Sequence, residues 1–566
     1  MRATRLPNAR GSDGTQRQET QAMRSRGGDA GMSDWQGSTF EVRLGPPGHG
    51  GFCVARHEGR VVFVRHGLPG ELVRVRVTED RGGSFCRADA IEILEPSPDR
   101  VPATCPVSGP GGAGCCDFSF ATPKAQRALK ASVVAEQLRR LAGIERDVVV
   151  EPITGAGEVT SGWRTRIRLA VDASGRAGVH RYRSTEVIPD LRCPQPVPGA
   201  LDGVADRLWT PGADLVIAVD GDGVRHIVEL APSEVSDRRR TEPADRRGRD
   251  RRGRRSTAPD ARETSAERDD ADGRRGTDAS DGRNVAGHRR SGAGGAGAGP
   301  GGARRRPGAI GGVRHGGDAG GSRRPESLRA DAGDFRDEVR HAADGRLEGP
   351  QARERRSASA RRAATHAARD EWVVAGSGRA VEYVAGRRWE VAATGFWQAH
   401  HGAAQCYSDL VGEWSGLLPG GLAWDLYSGA GVFAARLADQ TGLTGAVFAV
   451  ESARPAVAAG KAALRDLTWL EQHAQRVERW VADRIDAAAP DVVVLDPPRA
   501  GAGKEVIRAL TTTGPTRIVH IGCDPASFAR DLGLYQAAGY RLADLRAFDA
   551  FPGTHHVECV ALLDRP

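Results

Sequence analysis

Between residues 236 and 370 the chain has almost nothing from which to build a core. The stretch is mainly Arg, Gly, Asp, Ala and Ser, with Phe335 its only aromatic residue. Apolar burial cannot offset the entropy lost on ordering such a segment. It therefore reads as a disordered insertion, and the globular part of the protein must come from either side of it. Residues 1–34 are also polar and rich in Gly and Arg, and read as a disordered tail. Two readings of the insertion stand side by side: a passive loop expansion, or an arm whose clusters Arg238-Arg239-Arg240 and Arg304-Arg305-Arg306 meet nucleic-acid phosphates.

Charge and composition narrow the class. The net charge is +8, which suits a polyanionic partner. Lysine occurs only at positions 124, 130, 461 and 504, so nearly all positive charge is arginine, much of it in the insertion. No apolar run approaches the roughly 18 residues a membrane span needs, and the first residues lack the apolar centre of a signal peptide. A cytoplasmic monomer with no membrane contact is expected. Its nine cysteines are too sparse for a disulfide scaffold and read as thiols, ligands or a nucleophile.

Residues 35–97 carry short alternating runs, including Arg60-Val61-Val62-Phe63-Val64 and Leu72-Val73-Arg74-Val75-Arg76-Val77, separated by Gly- and Pro-rich turns. That is the pattern of a small antiparallel β-barrel. Gly48-His49-Gly50-Gly51 and Leu68-Pro69-Gly70-Glu71 make it resemble a TRAM domain, an OB-like RNA-binding barrel. Residues 98–235 together with 371–392 form a central α+β unit, expected to bind RNA. It has a helix over Pro123–Leu141 and strands at Arg166–Val171 and Leu215–Val219.

From 393 to 566, strand-like and helix-like segments alternate, which predicts a parallel, doubly wound α/β domain. Asp425-Leu426-Tyr427-Ser428-Gly429-Ala430-Gly431 ends its first strand, and Glu451 closes the next. Gly429 and Gly431 let the backbone approach a ligand, and Glu451 can accept both ribose hydroxyls. The same spacing fits a dinucleotide fingerprint, so a nicotinamide oxidoreductase competes. Asp425 at the strand end, and Asp496-Pro497-Pro498-Arg499 after Val492–Leu495, favour a methyltransferase that uses S-adenosylmethionine.

Uracil C5 is a poor nucleophile. A thiolate added at C6 makes C5 enolate-like, and a base must then remove the C5 proton. Cys523, in Gly522-Cys523-Asp524-Pro525, ends a strand just before a helix, where a thiol ionises more easily. Glu558, in His556-Val557-Glu558, alternates with apolar neighbours and so points into an interior or a cleft.

With Phe396-Trp397-Gln398, these motifs closely resemble, in order, those of the RNA uracil-C5 methyltransferases over residues 390–566. The resemblance implies a class I methyltransferase fold behind an N-terminal TRAM barrel. It implies Cys523 as nucleophile, Glu558 as general base, and Gln398, Tyr427, Glu451 and Asp496 as cofactor contacts beside Asp425, Gly429 and Gly431. It favours ribosomal over transfer RNA. Two positions depart from the family: Val432 and Asp524 stand where it has Asn. The resemblance also points to a [4Fe–4S] cluster, with Cys105, Cys115, Cys116 and Cys193 as candidate ligands, although the family's middle cysteine is Ala113 here. A non-catalytic RNA-binding member is the remaining alternative, against which Cys523 and Glu558 argue.

Overall fold

Alternating valines shape the first sheet. In the computed structural model, which describes residues 34–153, 160–233 and 369–566, six strands follow one another: β1 (Thr39–Arg43), β2 (Pro47–Gly48), β3 (Phe52–His57), β4 (Arg60–Arg65), β5 (Leu72–Asp80) and β6 (Phe85–Glu95). They pair in the order β1-β5-β6-β4-β3-β2. Val42, Val62, Val64, Val73, Val75 and Val77 are buried together inside the curl, each contributing roughly 1.5–3 kcal/mol. Arg74 faces outward and pairs with Glu41 and Glu92 on the neighbouring strands. The disordered tail and insertion expected from the sequence lie outside the described residues, apart from residues 34, 369 and 370.

Helix α1 (Pro123–Gln137) begins at Thr122, whose Oγ1 accepts the Ala125 N–H, with Pro123 at the first position. The sequence suggested a helix to Leu141. The α-helical bonding instead stops at Gln137, and Leu138–Ala142 make one wider π turn ended by Gly143 in the left-handed region. Strand β7 (Val150–Pro152) follows. The central sheet then forms from β8 (Arg166–Val171), β9 (Ala177–His180), β10 (Val187–Ile188), β11 (Asp214–Val219), β12 (Arg225–Leu230) and β13 (Glu371–Ala375), ordered β10-β9-β8-β11-β12-β13. A hairpin, β14 (Arg379–Val384) and β15 (Arg387–Ala392), leads out of it. Leu230 pairs with Glu371 across β12 and β13, and the Ala231 N–H donates to the Asp370 carbonyl. The chain thus leaves and re-enters the fold at two hydrogen-bonded neighbours, where even a long excursion adds little closure entropy.

The last unit contains α2 (Ala403–Trp414), β16 (Leu422–Leu426), α3 (Val432–Thr441), β17 (Ala446–Glu451), α4 (Arg454–Ala463), β18 (Leu470–Ala474), α5 (Val477–Ala482), β19 (Val492–Leu495), α6 (Gly503–Thr513), β20 (Arg517–Gly522), α7 (Pro525–Ala537), β21 (Arg541–Asp549) and β22 (Glu558–Asp564). The sheet order is β18-β17-β16-β19-β20-β22-β21-β7. Strands β16 to β20 are parallel. All four residues of β19 are fully buried, as expected when helices cover both faces.

Two features differ from the sequence reading. The sheet is mixed rather than parallel, because β22 runs antiparallel to both β20 and β21; the connection from β21 is too short for a crossover and allows only a reversal. Strand β7, assigned above to the central unit, is the edge of this sheet and runs parallel to β21. Helix α1 comes with it. Lys130 on α1 is buried and donates to Asp549 Oδ1 at 2.5 Å and to the Phe551 carbonyl at 3.0 Å.

Candidate active site

The C-terminal ends of β16, β17, β19 and β20 share one edge of the sheet, where ligands of open α/β sheets bind. After β16 the backbone turns sharply: Tyr427, Gly429 and Gly431 have φ of +63°, +55° and +80°. For a tyrosine this conformation costs on the order of 1–2 kcal/mol. Glu451, at the tip of β17, accepts the N–H groups of Gly429 (3.2 Å) and Ala453 (2.6 Å). A carboxylate offers about four lone-pair sites, so acceptor capacity remains. A Cβ built on Gly429 would meet nothing within 4 Å, so the loop presents bare backbone to open space. Trp389 Nε1 donates to the Ala430 carbonyl (3.0 Å), and the Trp397 ring packs 6.2 Å from Trp389. Gln398, the next residue in the chain, is half-buried. Asp425 is fully buried; Oδ2 accepts the Ala434 N–H at 2.8 Å, and Oδ1 has no partner among the described residues. Burial holds its carboxyl well above the usual range, and the nearby Asp496 and Glu451 push the same way. Bare backbone, a strand-tip carboxylate and an orphaned buried oxygen fit an adenosyl amino-acid cofactor such as S-adenosylmethionine.

The corner that holds Cys523, the nucleophile expected from the sequence, lies two strands away. Gly522 pairs with Cys559, so one further step sets Cys523 opposite Glu558. Burial pushes the Cys523 thiol up to about 12; the charge of Glu558 adds to this, and Arg499 opposes it. Glu558 is 5 % exposed, and burial beside Asp496 raises its carboxyl well above the ordinary value against the pull of Arg499. Burial alone lifts Asp496 to about 7. The sequence led us to expect a thiol made more acidic by the helix N-terminus, and the opposite holds. Asp524 caps α7 by accepting the Ala526 and Ser527 N–H groups, so those donors are spent on a carboxylate, and burial among acids dominates at Cys523.

Cys523 opens into a cleft of about 580 Å³ shared by all three units, its walls including Gly48–Phe52 of the barrel, Asp117, Tyr182, Arg183, Arg499 and Asp524. Asp117 is 4 % exposed and takes Arg65 on one oxygen and His555 on the other, each at 2.5 Å. Gly51, at φ +81°, lies against both; a Cβ there would come within 3.2 Å of Asp117 and 3.4 Å of His555. His49 Nε2 meets Asp524 Oδ2 at 2.9 Å. Sequence reasoning missed His49, Arg65, Asp117, Lys130 and His555 as site residues. Their partners are distant in sequence, and a histidine in a glycine turn carries no local signal.

The four cysteines expected as cluster ligands lie close enough to perturb one another's ionisation, and the Cys116 sulfur accepts from Gln195 Nε2 at 3.2 Å. Interactions among the four push Cys116 far up and, outweighing burial, draw Cys193 down to about 7. Among the described residues no group of three or more His, Cys, Asp or Glu side chains is arranged to hold a metal ion. The iron–sulfur expectation thus finds no support among the described residues, and no step is assigned to a cluster. Among the same residues, no helix is long and apolar enough to cross a membrane.

Comparison with known proteins agrees with this geometry. The TRAM domain family model matches residues 35–90, and the tRNA (uracil-5-)-methyltransferase model matches residues 420–566. An uncharacterized RNA methyltransferase of Streptomyces coelicolor is 38 % identical over 544 residues, 93 % of each chain. One from Corynebacterium diphtheriae is 32 % identical over 94 % of this chain and 97 % of its own. Among solved structures, the Pyrococcus abyssi tRNA (uracil-54, C5)-methyltransferase in complex with S-adenosyl-L-homocysteine shares the fold, with a TM-score of 0.53 at 16 % identity over 93 % of this chain and all of that one. A nicotinamide oxidoreductase is thereby set aside. The chain belongs to the TRAM-containing, S-adenosylmethionine-dependent RNA methyltransferases whose catalytic domain is of the uracil-5-methyltransferase family.

Proposed function

We propose that the protein methylates C5 of a uridine in RNA, ribosomal RNA in preference to transfer RNA, through a transient bond between Cys523 and C6 of the base. The observation that carries this is Cys523, just past the end of β20 and opposite the buried Glu558 at the start of β22, with Cys523 lining a cleft large enough for an extruded base. Bound at the Tyr427–Gly431 loop, S-adenosylmethionine would supply a methyl group made electrophilic by its sulfonium. Gln398, Tyr427, Gly429, Gly431 and Glu451 would hold it, with Asp425 and Asp496 facing its positive charge. Cys523, as thiolate, adds to C6 and makes C5 nucleophilic. Once C5 carries the methyl group, Glu558 takes the C5 proton, the C5–C6 double bond reforms and the thiolate leaves. A carboxyl held above its ordinary range is a strong base once ionised, and Arg499 stabilises the charged forms of Glu558 and Cys523.

The test is methyl transfer from radiolabelled S-adenosylmethionine to unmodified ribosomal and transfer RNA. Label is expected on C5 of uridine in wild type and lost by at least about 10⁴-fold in Cys523→Ala. RNA carrying 5-fluorouridine, which has no C5 proton to release, is expected to trap wild type covalently and leave the variant free. Normal transfer by Cys523→Ala would overturn the mechanism.

A further inference from the structure

The barrel does more at this cleft than form a wall. His49 lies between Gly48 and Gly50 in the turn joining β2 to β3, and its Nε2 meets Asp524 Oδ2 at 2.9 Å across a sequence separation of 475 residues. A carboxylate can only accept, so the imidazole N–H is the donor. The other oxygen of Asp524 is occupied by the N–H groups of Ala526 and Ser527. Both oxygens of this side chain are thus engaged beside its chain neighbour Cys523, where the Asp524 charge is the least of the causes that push the thiol up. Around the same corner stand Glu558 on β22, Asp496 and Arg499 after β19, and Asp117, Arg183 and His555 on the other walls. The thiol already faces Glu558 and Asp496. A third, uncompensated carboxylate would make its ionisation harder still.

We propose that His49, carried on the RNA-binding barrel, is a positioning residue of the catalytic turn: it anchors the Asp524 carboxylate and offsets part of its charge beside the Cys523 thiolate. The role rests on Cys523 acting as the nucleophile. Burial opposes the charge on Asp524, yet the bonds from His49 and from the Ser527 backbone hold its carboxyl below the usual range.

The experiment is a double-mutant cycle in the full-length protein, using His49→Ala, Asp524→Asn and the double variant, with asparagine chosen because it caps a helix as well as aspartate does. The rate of covalent trapping by 5-fluorouridine RNA is followed from pH 6 to 10, and RNA affinity is measured separately. A charge released beside the thiolate shifts its ionisation by up to on the order of one pH unit. His49→Ala is thus expected to slow trapping about three- to tenfold near neutral pH, to move the alkaline limb of the profile upward, and to leave RNA affinity within about twofold. In the Asp524→Asn background the same substitution should be nearly silent. An equal loss in both backgrounds, or an unmoved pH profile, would reduce His49 to a structural contact and overturn the proposal. Trapping that fails in wild type would instead overturn the nucleophile assignment, and this inference with it.

Discussion

Asp496 offers a direct test of the electrostatics at the sheet edge. Its carboxyl titrates at about 7 in the folded protein because it is buried, against roughly 3.9 in an unfolded chain. Between those values the native state keeps a proton that the unfolded state has lost, so stability falls as pH rises through the window. Replacing Asp496 by Asn removes the titration. The variant and wild type should be equally stable below about pH 4. Their difference should then widen by up to about 1.4 kcal/mol per pH unit and level off above pH 7. Three units would give on the order of 4 kcal/mol. Because Asp496 keeps partial solvent contact, screening should reduce this to about 2 kcal/mol. Urea unfolding at pH 5, 6, 7 and 8, followed by tryptophan fluorescence, would measure it; Trp424 and Trp480, buried edge to face at 4.9 Å beside the sheet, report on this unit. The variant should gain stability while losing affinity for S-adenosylmethionine. Parallel stability curves between pH 5 and 8 would refute the idea that folded Asp496 holds a proton.

Two other substitutions separate folding from binding. Lys130→Met leaves Asp549 buried without its cation and should cost about 3–5 kcal/mol in urea unfolding, with Asp549→Asn in the same chain restoring part of it; a loss under about 1 kcal/mol would show that the pair contributes little. Gly429→Ala places a methyl group in open space at φ +55°, so stability should drop by only about 1 kcal/mol while S-adenosylhomocysteine binding by calorimetry weakens at least about tenfold. Unchanged binding would show that this loop does not hold the cofactor.

What could be read in the sequence was local. The turns at Asp425–Gly431, Asp496–Arg499 and Gly522–Pro525 each carry their chemistry within a few residues of a strand end, and a strand followed by a turn and a helix imposes a recognisable order of residue types. Strand direction is not written locally: the residues of β22 would read the same in a parallel strand, and only the short path from β21 decides. Strand β7 has three residues, too few for a period to show, and it is held by β21 nearly 400 positions later in the chain. At the cysteines, spacing gathered four thiols that do act on one another.

The contacts that spacing could not foresee join the barrel to the catalytic unit. Arg65 on β4 reaches His555 through Asp117, Gly51 is pressed against both, and His49 holds Asp524. An OB-like barrel tethered by a flexible linker could raise the local concentration of RNA without touching the chemistry. Here the Arg65–Asp117 pair is nearly solvent-free on both sides, and separating it would leave charges buried without partners, at several kcal/mol. The barrel is accordingly fixed in place, and its glycine turn becomes part of the wall around Cys523. Under the proposed mechanism, a base drawn into this cleft would meet walls contributed by the barrel, the central unit and the catalytic sheet at once.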